Sequence, residues 1–251
     1  MKIVAAKKIL KANDQLAEEN RARLNAAGVF AVNVVGSPGC GKTTLLEALF
    51  GHVRGRLRPA VIEGDIAGSV DAERIDALGV PVVQINTEGA CHLDATMIAA
   101  AAEGFDYAAL DLLVIENVGN LVCPAGFDLG EHLRLVVLSV SEGDDKLIKY
   151  PAIFQRSHAL VITKIDLLPD TNFQIDRAEA GMRRLAPEAA IFRVSALAGE
   201  GVADLADWLV QQAGAVPRSP DCPPRSRKPS SPGAASFHSA AIGAANSTER
   251  E

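Results

Sequence analysis

The run Gly36-Ser37-Pro38-Gly39-Cys40-Gly41-Lys42-Thr43 satisfies the pattern G-x-x-x-x-G-K-S/T, and it lies between an apolar run at 29–35 and a helical pattern at 43–50. That order of parts makes a phosphate cradle. A strand aims the chain, glycines let backbone N–H groups close round a β-phosphate, and the helix N-terminus adds its partial positive charge. Lys42 is placed to reach the β- and γ-phosphates, and the hydroxyl of Thr43, which Thr44 follows into the helix, is placed to hold Mg2+. The plainer alternative, a glycine-rich βα turn without a ligand, does not require every fixed position in this context. The expectation is a chain that binds a nucleoside triphosphate.

A second segment narrows the base. Val161-Ile162-Thr163-Lys164-Ile165-Asp166 follows a strand pattern and resembles the N/T-K-x-D element of GTPases, in which the Asp carboxylate accepts two hydrogen bonds from guanine. Adenine offers no such donor pair, and a site built round a polar group rejects analogues that leave it unpaired by up to about 10⁴- to 10⁵-fold. Thr163 stands where Asn is commoner but keeps a side-chain hydroxyl. Val194-Ser195-Ala196-Leu197 resembles the second base-side loop of GTPases, with the Ser195 and Ala196 backbone expected near guanine O6.

Two acidic residues end apolar strand patterns near the cradle: Asp65, after Ala60-Val61-Ile62-Glu63-Gly64, and Glu116, after Asp111-Leu112-Leu113-Val114-Ile115. Hard Mg2+ prefers oxygen ligands, so Asp65 and Glu116 are candidates to reach the metal directly or through water. Glu116-Asn117-Val118-Gly119 would replace the usual D-x-x-G switch, with the Gly119 N–H meeting the γ-phosphate.

Cys91-His92 follows the third strand pattern, and Cys123-Pro124 lies just past the Glu116 segment. Taken alone, an adjacent Cys and His are more often incidental, and a buried cysteine behaves as a small hydrophobe. Both loops, however, leave the carboxyl ends of strands expected beside the nucleotide-binding strand, where ligand sites of open α/β sheets gather. Two thiolates and an imidazole suit Zn2+ or Ni2+ and leave a coordination position open, which favours transfer over permanent binding.

The elements that must position these groups are legible as an alternation. Strand patterns at 29–35, 59–63, 81–85, 110–116, 134–140, 159–163 and 190–194 are separated by helical ones, which predicts βαβ units: a mainly parallel sheet with helices on both faces, a three-layer P-loop NTPase. Residues 3–27 read as a helix stopped by Gly28. The expected organisation is therefore an N-terminal helix at 1–28 packed on the domain, a nucleotide-binding domain at 29–216, and a tail at 217–251. That tail holds six of the thirteen prolines and almost no large apolar residues, and is expected to be disordered.

The chain has 251 residues, 48% of them apolar, and a net charge of −6, so it has the material for a sizeable core and no basic stripe for a phosphate backbone. No nucleic-acid partner is expected. Neither a membrane-spanning run nor a signal-peptide pattern is present, and the four cysteines are widely spaced, so the expectation is a cytoplasmic protein whose thiols do metal or redox chemistry, with no membrane partner.

At about residues 19–209 the chain resembles the HypB family, the nickel-inserting GTPases of nickel-iron hydrogenase maturation. The likeness is carried by Glu19-Asn20-Arg21, the loop Gly36 to Thr44, Glu63-Gly64-Asp65-Ile66, Asp71-Ala72-Glu73-Arg74-Ile75, Gly89-Ala90-Cys91-His92-Leu93-Asp94 and Glu116-Asn117-Val118-Gly119-Asn120-Leu121-Val122-Cys123-Pro124. The resemblance implies a GTPase of the dimerising class related to the signal-recognition and nitrogenase-iron-protein NTPases, cycling between GTP and GDP with Mg2+. It implies that Cys91, His92 and Cys123 are metal ligands at the interface of a nucleotide-dependent homodimer. It also implies that Asp65 and Glu116 serve Mg2+ and hydrolysis, and that the partners are a hydrogenase large-subunit precursor and accessory maturation proteins. The residues ahead of the first strand carry neither a Cys-x-x-Cys-Gly-Cys site nor a histidine-rich stretch, so high-affinity nickel capture and storage are not expected there. Two other readings stay open: a related maturation GTPase for urease or a cobalamin enzyme, and a non-catalytic GTP-dependent switch or metal-storage module.

Overall fold

The computed structural model describes residues 6–66 and 68–216. The expected disordered tail, with Cys222, and residues 3–5 of the expected first helix lie outside the described residues. Each of the seven runs expected to be strands forms one: β1 (Phe30–Gly36), β2 (Pro59–Asp65), β3 (Val82–Asn86), β4 (Leu112–Glu116), β5 (Leu133–Ser139), β6 (Ala159–Thr163) and β7 (Ala190–Val194). They make one sheet in the order β3-β2-β4-β1-β5-β6-β7 with every pairing parallel.

Parallel strands buried on both faces read as nearly continuous apolar runs, and the central strand β1 is buried at every position. Successive side chains alternate between faces. Val32, Val34, Val61 and Val114 join a core covered by α2 (Lys42–Val53) and α8 (Val202–Gly214). Ala31, Ile62, Leu113 and Ile115 face the opposite way, into a core shared with Leu24 of α1 (Ala6–Ala27) and Ile98 of α4 (Ala95–Ala102). Short α3 (Val70–Ala77) lies near the β3 edge, while α5 (Lys146–Lys149), α6 (Pro151–Gln155) and α7 (Ile175–Leu185) cover β5 and β6.

This alternation sets the chemistry. Glu63 and Glu116 are register partners on β2 and β4 and share the α2 face with Val61 and Val114, two residues earlier on each strand. Asn33 and Asn117 fall on the α1 face.

Helix α1 buries Asn13, Ala17, Asn20 and Leu24, a helical stripe in which two of four members are polar. It ends where the Val29 N–H reaches Leu24 O (2.9 Å) and the Gly28 N–H reaches Asn25 O (3.0 Å), a Schellman closure that hands the chain directly to β1. No helix among the described residues is long and apolar enough to cross a membrane.

Candidate nucleotide and metal site

The phosphate loop turns at Gly39 and Gly41, with φ of 73° and 92°, so that α2 begins at Lys42 with its N-terminus open toward the loop. Its outer edge is held by the base-side segment: the Thr163 hydroxyl donates to Cys40 O (2.7 Å) and Lys164 Nζ to Gly39 O (2.7 Å). The hydroxyl retained at Thr163 therefore ties its segment to the phosphate loop. Cys40 is buried beneath the loop, where loss of water pushes its thiol up to about 11, which makes it an inert packing group. Gly119 lies over Pro38 so closely that a Cβ there would stand 2.9 Å from Pro38 Cα; only glycine brings the Glu116–Gly119 segment this near the cradle.

At the start of α2 the Thr43 hydroxyl donates to Glu116 Oε1 (2.8 Å). Glu116 Oε2 and the neighbouring Glu63 Oε2 are buried without a hydrogen-bond partner. A buried carboxylate oxygen without a partner is costly, and two beside a threonine hydroxyl form a hard oxygen set that fits Mg2+. Asp65 lies two residues beyond Glu63; its carboxylate oxygens accept from the N–H groups of Ile66 (2.6 Å) and Gly68 (3.2 Å) and so shape the loop after β2.

Glu63 belongs to this site although motif spacing did not single it out. Burial pushes its carboxyl up to about 8, with Glu116, Asp65 and Asp71 adding to the effect and Lys42 opposing it. Burial likewise takes Glu116 to about 7, against Lys42 and the Thr43 hydroxyl. Both groups would titrate near 4.5 when exposed. Between those values the folded chain keeps protons that the unfolded chain has released, so stability present at low pH is lost as pH rises. Without nucleotide or Mg2+, the thermal midpoint is therefore expected to carry a falling contribution from about pH 4.5 to about pH 8, and Glu63→Gln is expected to reduce that fall. An unchanged pH profile in the variant would contradict this.

On the base side, Asp166 is exposed, and one of its carboxylate oxygens accepts a hydrogen bond from the Ser195 hydroxyl (2.6 Å). The Ser195 N–H is committed to Glu200 O (3.0 Å). Ser195 thus orients Asp166 through its side chain, and of the expected Ser195–Ala196 pair its own backbone donor is already used by the antiparallel bridge to Glu200.

The Cys91-His92 loop after β3 and the turn Cys123–Gly126 meet at the same end of the sheet. Cys91 and Cys123 Sγ are 2.8 Å apart, His92 Nδ1 is 3.6 Å from Cys91 Sγ, and the ligand atoms of the three residues lie within 4.8 Å of one another. The contact with Cys123, followed by burial, holds the Cys91 thiol above its ordinary range. Burial lowers His92, whose ring packs on Phe127 with centroids 4.0 Å apart, so the imidazole is neutral and able to ligate at neutral pH. The three half-exposed groups can take a borderline or soft divalent ion between them.

Behind this cluster runs a polar network; Asn20, Arg21 and Asn117 lie in segments that carry the resemblance, but their spacing gave no sign that they meet. Asn117 accepts from the Leu93 N–H (3.2 Å) and donates to Asn33 (3.3 Å), which donates to Glu131 (3.1 Å), itself paired with Arg134 at 2.7 Å. From α1, Asn13 accepts from the Ala95 N–H and donates to Asp128 O, while Asn20 donates to Ala95 O and Leu129 O. Burial opposes ionisation of Asp128, but the Arg21 guanidinium, 2.7 Å away, overcomes it and holds the carboxyl below its usual range. Helix α1 therefore fixes the segments that follow His92 and Cys123. The available signal was Asn33, a polar residue in the middle of an otherwise apolar central strand.

Comparison with known proteins agrees with this geometry. The family model described as CobW/HypB/UreG, nucleotide-binding domain, matches residues 30–193. The hydrogenase maturation factor HypB of Azotobacter chroococcum mcd 1 is 50% identical over 208 residues, covering 82% of this chain and 68% of that one. The same factor of Escherichia coli K12 is 47% identical over 204 residues, covering 81% and 70%. The crystal structure of HypB from Helicobacter pylori in complex with nickel superposes with a TM-score of 0.77 at 38% identity, over 81% of this chain and 95% of that one. The chain thus belongs to the CobW/HypB/UreG nucleotide-binding family and, within it, to the HypB hydrogenase maturation GTPases.

Proposed function

We propose that this GTPase is a metallochaperone that delivers nickel to a hydrogenase large-subunit precursor, working as a nucleotide-dependent homodimer with accessory maturation proteins. The observation that carries the proposal is the position of the Cys91–His92–Cys123 cluster, on loops at the phosphate-loop end of the sheet, with Cys123 only a few residues beyond the Gly119 that covers Pro38. Nickel is cargo in this reading, and the open coordination position is where it would be handed on; Zn2+ fits the same donors.

The nucleotide half follows from the residues. In our assignment, Ser37 to Gly41 and Thr44 cradle the phosphates, Lys42 neutralises charge that develops between the β- and γ-phosphates, and Gly119 offers its N–H to the γ-phosphate. Thr43, Asp65 and Glu116 would hold Mg2+ with Glu63 behind them; the ion supplies electrostatic stabilisation of the transferred phosphoryl group. Glu116, taken to about 7 by burial, can also accept a proton near neutrality. Lys164 braces the loop, and Asp166, held by Ser195, reads guanine.

Asp166→Asn puts an amide donor where guanine presents donors, and is expected to shift preference from GTP toward XTP. An unchanged ratio of GTP to XTP affinity would contradict the base assignment. The dimer reading is supported by apolar Ile66, Val70 and Val122, exposed by 48%, 67% and 61%; they flank the Asp65 loop and Cys123, and an isologous contact would cover them. Single-turnover GTP hydrolysis with and without nickel, followed alongside oligomeric mass, tests the proposal. Bound but unhydrolysed GTP would point instead to a non-catalytic switch.

A further inference from the structure

The two sites are joined by one side chain that belongs to neither. Asn120 follows Gly119 and is half-buried. Its N–H donates to the carbonyl of Gly36, the first residue of the phosphate loop, at 2.8 Å, in an antiparallel bridge between the two segments. Its Nδ2 donates to the carbonyl of Cys91 at 3.2 Å, and its Oδ1 accepts from the N–H of Val122, the residue before Cys123, at 2.8 Å. One residue therefore fixes the start of the phosphate cradle and the backbone of both loops that carry the thiols.

We infer that Asn120 is the positioning residue through which the phosphate loop and the Cys91–His92–Cys123 cluster act on each other. This rests on the proposed reading in which nucleotide and metal are handled together. Chain connectivity alone would let a displacement of Gly119 move Cys123, but it gives no route to Cys91, which is 29 residues from Asn120 in sequence. The Asn120 amide supplies that route. A shift of the Gly119–Asn120 segment against Pro38 and Gly36 is passed to Cys91 through Nδ2 and to the Cys123 turn through Oδ1, so both sulfurs move together. Asn117 also touches the first metal loop, at the Leu93 N–H, but it is buried and bonded to Asn33 of the central strand. It anchors the loop to the sheet, whereas Asn120 links it to the segment lying on the cradle.

The discriminating variant is Asn120→Asp. It keeps the backbone bond to Gly36 O and an acceptor for the Val122 N–H, but it cannot donate to Cys91 O. Ni(II) affinity of the full chain is read from the thiolate-to-nickel charge-transfer absorption in the GDP state and in the state bound to a non-hydrolysable GTP analogue. Coupling between two sites typically amounts to about 5- to 150-fold, and the parent protein is expected to show a ratio in that range between the two states. In Asn120→Asp the ratio is expected to collapse toward one, whatever uniform offset the added carboxylate charge gives to nickel affinity in both states. A merely structural role would lower affinity equally in both states and keep the parent ratio; that result overturns the inference. A parent ratio of one is a different failure, which removes the reading that nucleotide and metal are coupled. If Asn120→Asp does not fold, the side-chain amide resonance of Asn120 in the parent decides. It is expected to shift both on exchange of GDP for the analogue and on addition of diamagnetic zinc, and absence of either shift overturns the inference.

Discussion

Lys42→Ala is expected to abolish GTP hydrolysis and to weaken triphosphate binding strongly while leaving the fold intact. Lys42 opens α2 at the mouth of the cradle and is largely buried, so its charge acts where water screens it poorly. Removing one preorganised donor from developing charge typically costs about 10²- to 10³-fold in turnover, and an ammonium is expected to cost at least that much. Its loss also removes the positive charge that opposes the raised pKa of Glu116 and of Glu63, leaving two buried carboxyls more readily protonated and less able to hold a cation. Single-turnover hydrolysis checks this, and turnover at the parent rate would show that the phosphate assignment is wrong.

The second large effect is expected at the sulfur cluster. Cys123→Ala deletes one of three proposed ligands, whose donor atoms lie within 4.8 Å of one another. Loss of a partner outside the ligand sphere commonly costs about 10- to 100-fold in metal affinity, and loss of a ligand itself is expected to exceed that. GTP affinity measured without metal is expected to stay close to the parent value, because Cys123 lies beyond the segment that covers Pro38. Nickel titration by charge-transfer absorption reads the first quantity and nucleotide titration the second; nickel bound as tightly as by the parent would remove Cys123 from the site.

The parts of this molecule that were legible in the sequence are those whose chemistry is local. The phosphate loop and the Thr163–Asp166 segment are contiguous, and their residue types match motifs that can be read from spacing alone. The inner strands were legible because burial on both faces leaves nearly continuous apolar runs. Strand edges differ from the expected ones by a residue or two: β4, expected from 110, begins at Leu112, and Leu110 instead closes the turn Tyr107–Ala109 with its N–H on Tyr107 O.

What escaped was written between distant segments. Glu63 reads as the polar end of a strand until its register with Glu116 places two carboxylates side by side. Ser195 was expected to work through its backbone, yet a bridge to Glu200 takes its N–H and leaves its hydroxyl for Asp166. Asn120 has no pattern of its own. Its meaning lies in contacts with Gly36 and Cys91, which no spacing rule brings together.

In the proposed function, the GTP state of the cradle sets the behaviour of the metal site. The most direct measurement is nickel titration of the full-length chain loaded with GDP and with a non-hydrolysable GTP analogue, with oligomeric mass followed through each titration. A dimer and a changed nickel affinity are expected in the analogue state, and a looser assembly with GDP. Identical nickel affinity and identical mass in the two states would contradict it.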